Sequence, residues 1–187
     1  MDNKNTVAET LVFSDEQVRL IFSSKAAKKM VFLVTCCPIE VGWHGFVKKN
    51  QVGEYFVDDI VLYPQKTSAA TIVCDDAQYG LWQQGLCLED PDLFETMRLH
   101  GHSHVNMRCF PSGVDKDLQD DGIEMLQEDG FYIYIIINKR MEHYVKIADR
   151  EDGAVYENVL VEILDDDIAD LFDSYKELVR ERDYGYQ

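Results

Sequence analysis

His102-Ser103-His104-Val105-Asn106-Met107-Arg108-Cys109-Phe110-Pro111-Ser112-Gly113-Val114-Asp115 is the stretch from which the rest of the chain is read. On an extended backbone, residues two apart point to the same side, so His102 and His104 aim two imidazoles at one point. Asp115 falls in the first turn of the helix opened by Pro111 and Ser112, where the helix dipole favours a carboxylate. If the loop folds back, Asp115 joins the two imidazoles. Two nitrogens and one oxygen leave a fourth tetrahedral position open, the catalytic rather than the structural pattern for zinc. The same residues also have plainer roles. An HxH pair occurs in strands by chance, and Ser112-x-x-Asp115 is a capping box whose ordinary work is to start a helix.

The flanking segments predict the fold. Residues 96–101 read as a strand running into the histidines, and 112–129 as a helix closed by Gly130. Upstream, Ser14 is placed as the N-cap of a helix over 14–30, with Val18, Ile21 and Phe22 on one stripe. The apolar, β-branched run 31–37 reads as a buried strand broken by Pro38. Strands are expected over 40–47, 55–63 and 70–74, then a helix from Asp75 or Asp76 to Leu88 and a turn at 89–92. Downstream, 131–137, 144–148 and 155–164 read as strands, and 165–183 as an acidic helix with Ile168, Leu171, Phe172 and Leu178 inward. This order describes one α/β domain over 1–187, with a mixed central sheet flanked by helices. Residues 149–187 form its C-terminal strand and acidic helix extension.

The spacing His102-x-His104, seven residues, Ser112, two residues, Asp115 resembles the JAMM motif of the JAB/MPN metalloprotease family, H-x-H-x7-S-x2-D. The upstream glutamate of that pattern is best matched by Glu40, in Pro38-Ile39-Glu40-Val41-Gly42-Trp43-His44-Gly45-Phe46-Val47. Val105 departs from the proline usual in eukaryotic deubiquitinating members, which suits a bacterial or phage branch. The resemblance implies a JAB/MPN-like (cytidine-deaminase-like) fold and a zinc ion on His102, His104 and Asp115. It further implies Glu40 as acid–base residue, Ser112 as donor to the oxyanion, and cleavage of a peptide or isopeptide amide. The implied substrate is a ubiquitin-like, sulfur-carrier-like or phage structural protein. A non-catalytic MPN-type scaffold is the alternative, although a scaffold has no physical need for an open zinc site. His100 is read as packing or as support behind the ligands, and Trp43 and His44 as strand packing.

Composition bounds the rest. At 46% hydrophobic and 28% charged residues, the chain is ordinary for a globular protein. The net charge of −17 excludes a nucleic-acid partner as the expectation, because such binding draws on Lys and Arg against phosphates. No basic region followed by an apolar run opens the chain, and its longest apolar run, 131–137, is too short to span a bilayer. A soluble cytoplasmic protein is therefore expected. The five cysteines lack CxxC spacing and are expected to be reduced, with Cys36 and Cys37 as small buried hydrophobes.

Overall fold

The strand that ends in the histidines, β7 (Met97–Ser103), lies parallel to β8 (Phe131–Ile137), and α4 (Gly113–Glu124) connects them as a crossover. The computed structural model describes residues 12–14, 18–67, 72–74, 76–157 and 159–164. Before this unit come β1 (Val12–Ser14), β2 (Arg19–Ser23), α1 (Ser24–Cys36), β3 (Gly42–Lys49), β4 (Tyr55–Val61), β5 (Gln65–Thr67), β6 (Ile72–Cys74), α2 (Asp76–Glu89) and α3 (Pro91–Glu95). After it come β9 (His143–Asp149), β10 (Ala154–Glu157) and β11 (Leu160–Leu164). Nine of the described strands form one mixed sheet in the order β1-β10-β9-β8-β7-β3-β4-β2-β11, and β5 and β6 form a separate ribbon.

That order forces the sheet to curl. β10 and β11 are separated by only Asn158 and Val159 but stand near opposite ends of the order. A chain advances at most about 3.3–3.6 Å per residue, so Glu157 and Leu160 lie within about 11 Å. A flat sheet would hold strands that far apart in the order more than about 30 Å from each other. Leu160 N–H donates to Val18 O (3.2 Å), extending the ladder between β11 and β2. The expected single strand over 155–164 is thus two strands, both integral to the sheet rather than an extension of it. The expected acidic helix lies outside the described residues, as do the first residues of the chain and Asp75.

The two faces of the sheet carry different chemistry because side chains alternate along a strand. Leu20, Phe22, Trp43, Val47, Leu99, Ile133, Ile135 and Ile147 share one core, and α1 adds Ala26, Ala27, Met30 and Val34 at helical spacing. On the opposite face, His44, His100 and His102 meet α2 and α4. The result is a mixed α/β domain with a curled sheet between helices.

The N-terminal third departs from the sequence reading. Residues 19–23 alternate in burial as a strand, paired in parallel with β4 and β11, so Ser14 caps no helix and ends β1 instead. The helix begins later, with Ser23 Oγ accepting from Ala26 N–H (3.1 Å), and it absorbs the apolar run read as a strand. Apolar residues at 26, 27, 30 and 34 are the helical signal that the continuous run concealed. Cys37, ahead of Pro38, is extended as a residue preceding proline prefers, and the helix stops there. Cys36 is exposed and Cys37 half-buried, not buried as expected; the cysteines of the described residues are free thiols. The expected turn at 89–92 contains the start of α3, capped by Asp90 Oδ1 on Leu93 N–H (2.9 Å). α4 ends at Glu124, short of Gly130, where Arg150 Nη2 donates to Ile123 O (2.9 Å).

Candidate metal centre

The C-terminal end of β7 and the first turn of α4 bring His102, His104 and Asp115 together, with one ligand-type atom from each lying within 4.8 Å of the others. His102 Nε2 is 3.4 Å from Asp115 Oδ1, and His104 Nε2 is 3.9 Å from Asp115 Oδ2. Asp115 is anchored by the reciprocal capping box: Ser112 N–H donates to Asp115 Oδ2 (2.7 Å), and Asp115 N–H donates to Ser112 Oγ (3.2 Å). Ser112 is exposed, and an oxygen that accepts there still has its own O–H to donate elsewhere.

Each imidazole is oriented by its strand or loop. His104 Nδ1 lies 2.8 Å from Arg108 O, and because a carbonyl only accepts, Nδ1 must carry the proton. Its Nε2 lone pair therefore faces Asp115. His104 N–H also donates to Ile137 O (2.9 Å), which ties the residue to the end of β8. Burial lowers the His102 pKa to about 4, against the raising influence of Asp115 and with His104 adding to the fall. For Asp115, burial alone would raise the carboxyl. The Ser112 hydrogen bonds and the two histidines outweigh it and hold the group below its usual range.

Glu40 comes to the same place through β3. Gly42 is the cross-strand partner of His102. Beyond that pair, Ser103 N–H donates to Val41 O (2.9 Å) and Val41 N–H to Ser103 Oγ (3.0 Å). Glu40, one residue further and just ahead of the strand, is buried (4% exposed). Burial raises its pKa, opposed by His104 and assisted by Asp115, so the carboxyl sits in the field of both. The close approach needs glycine: a Cβ on Gly42 would lie 2.2 Å from Tyr63 Oη, and one on Gly101 would lie 2.4 Å from the Trp43 ring.

Behind the site is a layer that the sequence reading only touched. His100 is the cross-strand partner of His44, and its Nε2 is 3.1 Å from Tyr63 Oη. His44 donates from Nδ1 to Leu99 O (3.3 Å) and accepts at Nε2 from Tyr79 Oη (2.8 Å), with Trp82 stacked on its ring. Trp43 points the other way, into the core. Gln119, one helical turn beyond Asp115 and 3% exposed, lines a cavity of about 10 Å³ with His100, His102 and Asp115. That is room for one water. The i, i+4 spacing from Asp115 was the available signal for Gln119.

The donor set suits zinc. Bonds of about 2.0–2.1 Å in a tetrahedron put ligand atoms about 3.3 Å apart, close to the His102–Asp115 separation of 3.4 Å. Val105 has a φ of 42°, a region closed to proline with its φ near −65°. No helix among the described residues is long and apolar enough to cross a membrane.

No protein-family model and no curated protein matches the chain. Among solved structures, the fold is similar to that of a Desulfitobacterium hafniense protein determined in solution, at 14% identity and a TM-score of 0.52. The match covers 79% of this chain and 94% of that one. At such identity the likeness concerns the fold alone.

Proposed function

We propose that the chain is a zinc-dependent amide hydrolase of the JAB/MPN type. It would act in the cytoplasm as an isopeptidase or peptidase on a ubiquitin-like, sulfur-carrier-like or phage structural protein. The observation that carries this reading is the convergence of His102, His104 and Asp115 within 4.8 Å, with buried Glu40 beside them. A zinc ion there would supply Lewis-acid polarisation of the amide carbonyl and acidification of water. Glu40 takes a proton from the attacking water on its carboxylate and returns it to the leaving amine, a role suited to a carboxyl whose pKa burial has raised. The Ser112 hydroxyl donates to the oxygen on which negative charge develops. The Arg108 carbonyl holds His104 in the tautomer that presents Nε2.

The test is elemental analysis of the full chain, together with cleavage of an isopeptide-linked fluorogenic substrate. One zinc per chain is expected, lost in His102→Ala and in Asp115→Ala along with turnover. A metal-free native protein, or zinc content unchanged in both variants, overturns the assignment and favours a scaffold without catalysis.

A further inference from the structure

We propose that the cleft beside this centre is a subsite for an acidic peptide segment, held by Arg108 and Arg140; only the identification of that segment as part of the substrate rests on the hydrolase reading. The chain carries a net charge of −17, but the wall next to the histidines has the opposite sign. The loop after His104 and the turn between β8 and β9 contribute Arg108, Lys139 and Arg140 against a single acid, Glu142. The Glu142 carboxylate is already engaged, accepting from Asn138 Nδ2 (2.7 Å) and Arg140 Nη2 (2.9 Å). The Arg108 guanidinium is exposed and has no ion-pair partner among the described residues. Between the two arginines opens a cleft of about 620 Å³, with Phe110, 67% exposed, as an apolar platform on its wall.

The frame that carries these side chains is tied down by its own hydrogen bonds. Lys139 N–H donates to Val105 O (2.8 Å), Asn138 Nδ2 to Met107 O (2.8 Å) and Cys109 Sγ–H to Glu142 O (2.9 Å). Two elements distant in sequence are thus clamped, and little backbone ordering is left for binding to cost. The clamp is also the support of the metal centre, because the carbonyl that orients His104 belongs to Arg108. The cleft is thus joined to the centre through the Arg108 backbone, although none of the centre's own side chains lines it. Guanidinium forks match carboxylates geometrically, which selects Asp and Glu side chains. The overall charge disfavours a polyanion that must lie across a wide surface, so the fit is to a short acidic stretch presented locally.

Two short fluorescent peptides test this, one rich in Asp and Glu and one with the same sequence carrying Asn and Gln. Fluorescence polarisation is read with the full chain at fixed ionic strength. The acidic peptide should bind at least about tenfold tighter, a difference of about 1.4 kcal/mol. Arg108→Glu with Arg140→Glu should abolish that preference and create binding of a Lys-rich peptide. Lys48→Glu, a reversal outside the cleft, should leave it unchanged. Arg108→Gln alone, with melting temperature as the control for folding, should lose most of the preference. Equal affinity for the two peptides, or an undiminished preference in the folded Arg108→Gln variant, overturns the subsite. Asp115→Ala should keep the peptide preference while losing zinc. In the native protein, zinc absent with the preference intact would remove the hydrolase reading alone, and zinc present without the preference would remove the subsite alone.

Discussion

Among the described residues, two groups of side chains have the composition of a cation site. One is His102, His104 and Asp115, and the other is Asp149, Glu151 and Asp152 at the end of β9 and the turn that follows it. In both, ligand-type atoms lie within 4.8 Å of one another. The second group already contains its cation. Lys49 Nζ is 3.0 Å from Asp149, 3.3 Å from Glu151 and 2.8 Å from Asp152, and Tyr55 Oη donates to Asp149 Oδ2 (2.6 Å). Asp149 is fully buried, and a buried carboxylate without a partner is costly, so this group is a structural ion pair between β3 and the β9–β10 turn. The first group has two imidazoles and one carboxylate, and among the described residues no Lys or Arg pairs with Asp115. The His102–Asp115 separation of 3.4 Å is longer than the usual 2.7–3.2 Å of a good hydrogen bond. Clustering therefore does not identify a metal centre. Whether the cluster is already neutralised by a side chain separates the two.

Removing Glu40's acid–base capacity should break the contrast most sharply. Glu40→Gln should keep fold and zinc but lower turnover by about 10²–10⁴-fold, the usual contribution of positioned proton transfer. Glu54→Gln is the control. Glu54 sits at the β3–β4 turn, paired with Arg19 and accepting from Asn50 Nδ2 (2.8 Å), far along the strand from the histidines. Cleavage rate and zinc stoichiometry are measured for both variants. Full activity in Glu40→Gln removes it from the mechanism, and zinc loss recasts it as a ligand.

Lys49→Met attacks the other group. Leaving Asp149 buried without its cation should cost about 3–5 kcal/mol in urea unfolding, with zinc content unchanged. Added calcium should restore part of the loss, since three carboxylates then face a cation-sized gap. A neutral result would mean that the acidic group does not depend on its lysine.

Ser112→Ala separates the two roles of one residue. Loss of an oxyanion donor should lower kcat by about 10²–10³-fold, while loss of the cap should cost about 1 kcal/mol of stability. Both are expected, with metal retained. A stability loss with turnover intact would leave Ser112 as a helix cap only.

The last test is the pH dependence of the metal-free protein. His44 and His102 are each lowered to about 4 from an ordinary 6.5, chiefly by burial. Their unfolded forms take up protons first, so this stabilisation is complete above pH 6.5 and fades as pH falls toward 4. At pH 5 each should cost about 2 kcal/mol relative to neutral pH. A melting temperature that stays flat between pH 7 and pH 5 would contradict the burial of these rings.

The elements nearest the motif were the most legible. β8 matches its expected bounds of 131–137, a run of Ile and aromatic residues held between Gly130 and Asn138. The capping box at Ser112 and Asp115 forms as its residue types predict. The N-terminal third misled, because 31–37 is apolar enough for a strand and its helical period appears only when 26, 27 and 30 are read with it. The JAB/MPN likeness, by contrast, rests on the motif alone, and the zinc and turnover experiments proposed above are its test.

By itself, the sequence determined which chemistry is at hand: two imidazoles on one side of a strand, a carboxylate in a helix's first turn, and the local hydrogen bonds that start that helix. These are near-neighbour properties, set by residue type and backbone period. Tertiary structure alone decided what meets what. Pairing of Gly42 with His102 carried Glu40 to histidines far along the chain, and Lys49 found Asp149 from another strand. Curling of the sheet lets β10 and β11 stand near opposite ends of its order although only two residues part them. The clamp between Val105 and Lys139 turned scattered arginines into one wall. Such contacts depend on strand register and on burial summed over the whole core, and neither is encoded in any short window of residues.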